Sequence, residues 1–198
     1  MLKKLLSGAS AGIAICTGGA VFLSCDSRYV GAVMFSVALL CICMKGYYLF
    51  TGKVGYMLEK HDKAAFEALL IGLLGNALAA IIGGWLLGYA IPAIGERAET
   101  VCTSKLAQSL TSCFIRACFC GILMYLAVSI YRDNYTPAAI FFCVPVFILS
   151  GFEHSIADIF YFAASGIISV KAFVYLWLVV LGNSAGALLL PLMNLKRS

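Results

Sequence analysis

Charge is what this chain has least of. Only 12% of its 198 residues are Asp, Glu, Lys or Arg, about half the ~25% of an average soluble domain. Histidine occurs twice, as His61 and His154. No CxxC pair and no Cys/His cluster is present, which removes the usual metal-ligand spacings. No nucleotide motif and no nucleophile elbow is read in the chain. The formal net charge of +5 fits lysines flanking a membrane and gives no reason to expect nucleic acid. No cofactor is expected.

What is there instead is apolar. Hydrophobic residues make up 63% of the chain, more than one water-soluble core can hide. The reading is an integral membrane protein whose spans account for most of its length. The start, "MLKKLLSGASAGIAICTGGAVFLSC", has the basic and apolar parts of a signal peptide. Its "GASAG" and "CTGGA" are small-residue packing surfaces, so it is expected to stay as a first span. Most of the nine cysteines lie in apolar stretches and read as small buried hydrophobes.

Six apolar segments can be drawn, at roughly 6–25, 29–50, 64–93, 106–131, 138–164 and 167–193. Short loops join them, and the whole chain, 1–198, is expected to form one transmembrane domain. An even number of spans puts both termini on one side. With the N-terminus inside, Lys3, Lys4, Lys53, Lys60, Lys63, Arg132, Lys196 and Arg197 are cytoplasmic; Arg28, Arg97, Lys105 and Lys171 are outside. Eight against four favours cytoplasmic termini in an inner membrane. Lys45 and Arg116 fall within or near the hydrocarbon, and His61 is expected in a solvated inner loop.

Two segments are interrupted. "LFTGK" ends the apolar pattern of the second with Thr51, Gly52 and Lys53, and "SGFEH" interrupts the fifth with Gly151, Glu153 and His154. Irregular backbone at membrane depth is tolerated only when buried in protein or lining a cavity. Each interruption falls in the second span of a three-span half, which points to two inverted repeats, roughly 1–97 and 98–198, around a central pathway. An echo supports this: "LLGNALAA" and "VLGNSAGA" place Gly75-Asn76 and Gly182-Asn183 in the third and sixth segments. Both asparagines are expected at tight helix contacts, capping backbone groups.

The stretch "FILSGFEHSIADIF", together with "LFTG", resembles the formate/nitrite transporter family over all six segments. The resemblance implies an all-α membrane protein of six transmembrane helices, with helices two and five broken and a protomer like that of an aquaporin. It implies a homopentamer with one pore per protomer. The implied substrates are small monovalent anions, formate first, with nitrite or hydrosulfide as alternatives and protons as possible co-substrates; lipid and other protomers are the remaining partners. His154 matches the family's central histidine and Thr51 its threonine partner. Leu39 and Phe50 match the cytoplasmic constriction, Phe35 and Phe147 the periplasmic one. Lys105 matches a lysine at the outer mouth that favours anions. Two positions depart from the family: Gly121 stands where many members carry Asn, and Asp158 stands where "SIAN" is usual.

A fixed charge is not needed for such a pore. A broken helix offers free N–H groups and the positive ends of half-helices, Thr51 a hydroxyl, and His154 an imidazole. His154 either donates a hydrogen bond to a passing anion or hands it a proton. Glu153 is expected to accept N–H groups of the broken backbone, since a carboxylate facing the path would repel anions. Thr51 reads equally as a cap for the following half-helix. Two other classes remain open: a membrane enzyme using Glu153, His154 and Asp158, and a neutral-solute pore of the aquaporin kind, against which stands the missing Asn-Pro-Ala pair.

Overall fold

A computed structural model describes residues 1–59 and 62–194. His61, with Lys60, Lys196 and Arg197 of the charge count, lies outside the described residues. The described chain is helical: α1 (Leu2–Ser24), α2 (Arg28–Lys45), α3 (Phe50–Lys53), a 3₁₀ turn (Val54–Leu58), α4 (Lys63–Ala90), α5 (Pro92–Leu106), α6 (Leu110–Asn134), α7 (Ala138–Leu149), α8 (Ser155–Ser165) and α9 (Val170–Asn194). Five of these, α1, α2, α4, α6 and α9, are long and apolar enough to cross a membrane. The fifth expected span is two shorter apolar helices, α7 and α8. The outward faces of α4, α7 and α9 carry Leu74, Ile81, Trp85, Phe142 and Trp177 exposed, as a lipid-facing or protomer-facing surface requires.

The loops are not all short. α5 fills the connection between the third and fourth segments with a 15-residue helix started by Pro92 at N1. The expected repeat junction at 97/98 falls inside it. The sequence "PAIGERAETVCTSKL" is too polar to register as a span, yet it buries Ile94, Ala98 and Cys102. The five letters Gly8-Ala9-Ser10-Ala11-Gly12 do match G-x-S-x-G. They lie mid-helix in α1, however, with Ser10 Oγ donating to Leu6 O at 3.0 Å, and not on the strand-to-helix turn that a nucleophile elbow needs.

The two breaks are built alike. α2 ends on Gly46 (φ 67°) and α7 is followed by Gly151 (φ 69°). Gly46 N–H donates to Cys43 O and Tyr47 N–H to Ile42 O; Gly151 N–H donates to Ile148 O and Phe152 N–H to Phe147 O. This is the glycine-terminated Schellman arrangement, in which only Gly takes the left-handed backbone without a Cβ clash. Four residues after each glycine the chain turns helical again, at Phe50 and at Ser155. The expectation that Gly52 breaks the second span is therefore corrected. Gly52 is helical, and its missing Cβ admits Val128, which a Cβ would meet at 3.0 Å. Gly46 makes the turn.

The two asparagines hold the breaks open. Asn76 Oδ1 accepts from Phe50 N–H at 2.8 Å, while its Nδ2 donates to Gly8 O and Tyr48 O, both at 2.8 Å. Asn183 Oδ1 accepts from Ser155 N–H at 2.9 Å, while its Nδ2 donates to Ala117 O at 2.9 Å and Glu153 O at 2.8 Å. In each half one buried amide thus satisfies the first N–H of the restarting helix, a carbonyl of the break and a carbonyl of a neighbouring helix. Glycines let those neighbours come close: Gly8 and Gly12 meet the backbone of α4, and Gly182 and Gly186 meet that of α6. Gly121 belongs to the second contact. A Cβ there would overlap the Asn183 carbonyl, so an Asn at this position has no room in this packing.

Candidate functional site

His154 is the N-cap of α8, in extended backbone (φ −111°, ψ 113°), and its Nδ1 accepts from Ala157 N–H at 3.2 Å. A backbone N–H can only donate. Nδ1 is therefore the bare nitrogen, and the ring proton of the neutral imidazole sits on Nε2. Nε2 lies 2.9 Å from Thr51 Oγ1, which then accepts, leaving the Thr51 hydroxyl proton free to donate elsewhere. Both residues are buried, at 2% and 1% exposed; 103 positions apart in the chain, they sit at the starts of the two restarting half-helices. Thr51 does not cap α3. It lies inside the first turn, and the N-cap position, Leu49, makes no side-chain cap.

Rings stack outward from His154 on one side. Phe147 lies 5.6 Å from the imidazole at an interplanar angle of 25°, and Phe35 meets Phe147 edge-on at 6.1 Å. Leu39, one turn after Phe35 on α2, is buried beside them in the main core. Phe50 is not brought into that group; it packs with Val54, Leu69, Val180 and Ala187 in a second buried cluster. On the α3 side a cavity of about 510 Å³ opens, lined by Leu39, Leu49, Lys4, Lys53, Glu59 and Arg132. Three cations there face one carboxylate.

The polar partners of Glu153 are not those expected. Its Oε1 accepts from Gln108 Nε2 at 2.8 Å, and its Oε2 pairs with Lys105 Nζ. Only its main-chain carbonyl is tied to the break, through Asn183. Lys105 in turn is not a free cation at a pore mouth. It stands in the last turn of α5, its side chain 14% exposed, and its ammonium also reaches Asp158 Oδ1 at 2.9 Å. One buried ammonium thus serves two carboxylates that are 2% and 1% exposed. Sequence reading noted Asp158 as a departure but did not see this pair, and it missed Gln108 and Gly46. The spacing offers one signal, since Glu153 and Asp158 are five residues apart across a helix start and can converge on one partner.

The two stray cations are accounted for. Arg116 Nη1 donates to Gly151 O at 3.4 Å, at the start of the break between α7 and α8. Lys45 is exposed in the last turn of α2, where it faces the negative end of the helix dipole. Arg28 Nη2 likewise donates to Ile148 O, a terminal carbonyl of α7, at 2.9 Å.

Known proteins are similar to this chain in sequence and in fold. A family model described as "Formate/nitrite transporter" matches residues 1–195. The "Formate-nitrite transporter 2" of Toxoplasma gondii is 29% identical over 185 residues, covering 82% of this chain and 40% of that protein. The "Nitrite transporter NirC" of Salmonella typhimurium is 29% identical over 144 residues, covering 66% of this chain and 54% of its own length. The chain thus spans about half the length of these relatives. A structure described as "Pentameric formate channel with formate bound" superposes with a TM-score of 0.82 at 23% identity, covering 97% of this chain and 94% of that one. Likeness at that identity carries the fold alone, but the family model covers nearly the whole chain. This all-helical, multi-pass membrane protein belongs to the formate/nitrite transporter family.

Proposed function

We propose that this chain is a channel or transporter for small monovalent anions, formate first and nitrite or hydrosulfide next, passing one at a time between Thr51 and His154. One observation carries the reading. At the positive end of α8, a buried imidazole N–H and a buried hydroxyl meet at 2.9 Å with no fixed charge between them. Such a pair replaces part of the hydration an anion loses, without binding it too tightly to leave. Phe35 and Phe147 form the apolar gate on one side; Leu39, which borders the α3-side cavity, forms the gate toward the other, with Phe50 in the buried cluster behind α3 supporting it. The enzyme reading loses its chemistry, because Glu153 and Asp158 are both spent on Lys105.

The tautomer favours one of the two roles left open for His154. Its one proton is on Nε2, and Nδ1 is occupied as an acceptor. Giving the Nε2 proton to an anion would leave an imidazolate, which is far too basic to form near neutral pH. Protonating Nδ1 first would break the cap on α8. His154 therefore acts as a hydrogen-bond donor, and a proton that accompanies the anion comes from water.

In the same reading the assembly is a homopentamer in an inner membrane, with lipid and neighbouring protomers covering the apolar exterior and both termini in the cytoplasm. Lys4, Lys53 and Arg132 then gather anions at the cytoplasmic cavity. The test is flux into liposomes with formate, nitrite, hydrosulfide, acetate and lactate. Formate, nitrite and hydrosulfide are expected to pass and a neutral solute such as glycerol is not. Glycerol permeation without anion flux would overturn the reading.

A further inference from the structure

The Lys105 cluster carries a charge imbalance that an anion pore does not need. Glu153, Asp158 and Lys105 together sum to −1 if both carboxylates are ionised; Glu153 is the residue next to His154, and Asp158 lies one helical turn after it, its N–H donating to His154 O at 2.9 Å. Burying an uncompensated charge is costly, and two carboxylates on one site resist ionising together. Their partners are unequal. Glu153 receives Lys105 and Gln108 on its two oxygens. Asp158 receives Lys105 on Oδ1 alone, while its Oδ2 is buried without a hydrogen-bond partner. A carboxylate oxygen left unpaired in such a site is where a proton lowers the free energy most.

From this geometry we infer that Asp158 is a proton-binding site, occupied in the resting channel, whose proton keeps the Lys105 cluster neutral and the pore open to anions. The inference rests on the anion-pore reading above. Losing that proton to water gives the cluster a net negative charge beside His154 and repels the anion, so conduction falls as pH rises. The groups around Asp158 are few. α5 presents Lys105 and Cys102, α6 presents Cys113 and Cys120, α9 presents Tyr175, α8 itself Tyr161, and the break Glu153 and His154. α1 and α4 meet α8 through Gly19, Gly84 and Gly88. Their own charges, Lys3, Lys4, Lys63 and Glu67, lie near the opposite ends of those helices. Lys105 is thus the single cation set against the two carboxylates among the described residues.

Asp158→Asn is the decisive variant, because an amide has the shape and charge of the protonated acid. Two readouts are taken on the full-length protein in lipid. The first is the infrared carbonyl stretch of a protonated carboxylic acid at neutral pH, expected in the wild type, absent from Asp158→Asn and retained in Glu153→Gln. The second is the ratio of formate flux, Asp158→Asn over wild type, which cancels the pH dependence of formate itself. It is expected near one at acidic pH and to climb about tenfold at alkaline pH, the effect of one unit charge at short range. A missing band in the wild type, or a band lost with Glu153→Gln instead, overturns the site. A flat flux ratio overturns its control of conduction. Failure of Asp158→Asn to assemble also contradicts the inference, since it would mean that the charge itself is required. Wild-type liposomes that pass no anion would sink the pore reading, while the band would still decide the proton.

Discussion

Lys105→Met is expected to leave little assembled protein. The ammonium is the only cation paired with Glu153 and Asp158 among the described residues, and methionine keeps the length of the side chain but not the charge. Removing one partner of a buried ion pair costs ~3–5 kcal/mol, because the other charge is left uncompensated. That is a large part of a typical stability. A lysine acting through its field at an open mouth would behave differently: its loss would spare the fold and lower flux mostly at low salt. The geometry argues against that second pattern, with the side chain 14% exposed. The double variant Lys105→Met with Glu153→Gln restores neutrality and is expected to recover most of the loss. Thermal unfolding in detergent, read with the elution position of the oligomer, separates the two accounts.

Asn183→Leu is the second large effect. It removes an acceptor from Ser155 N–H and a donor from Ala117 O and Glu153 O, all buried. Each buried polar group left unmade costs ~1–3 kcal/mol, and leucine fills the volume without replacing any of them. Asn76→Leu strips the same set from Phe50, Gly8 and Tyr48 and is expected to cost a similar amount. Asn183→Asp is the sharper control. It keeps the acceptor for Ser155 but turns an oxygen toward two carbonyl oxygens, so it should be no better than leucine. Unfolding midpoints that shift for Asn76→Leu but not for Asn183→Leu would break the correspondence between the two halves.

That correspondence was half legible in the sequence. The Gly-Asn echo marks both asparagines because each must reach three backbone groups at once, and only a short primary amide offers both kinds of partner. The break between α7 and α8 is marked by charged residues in an apolar run. The second-helix break is disguised. After Gly46 come Tyr47, Tyr48, Leu49 and Phe50, which are half-buried or buried whatever the backbone does, so the apolar pattern runs on past the turn to Thr51-Gly52. α5 escaped for the opposite reason, being a helix too polar to look like a span. The pairing of Lys105 with residues 48 and 53 positions later is a tertiary fact with no local signature. It changes the reading of Lys105 from a free attractor of anions to the centre of a closed charge cluster.

The central claim is that His154 donates a hydrogen bond and does not relay a proton. His154→Asn tests it most directly. Asparagine Oδ1 can take over the cap on Ala157 N–H, and its amide still offers a donor toward the path but has no proton to exchange near neutral pH. Its donor reaches less far than Nε2, so a fall in rate of about tenfold, the worth of one hydrogen bond, is expected. The measurement is the number of protons moved per formate in liposomes loaded with a pH-sensitive dye, on protein shown to be oligomeric. An unchanged number in His154→Asn is the predicted result, and loss of proton movement while formate still passes would contradict the account.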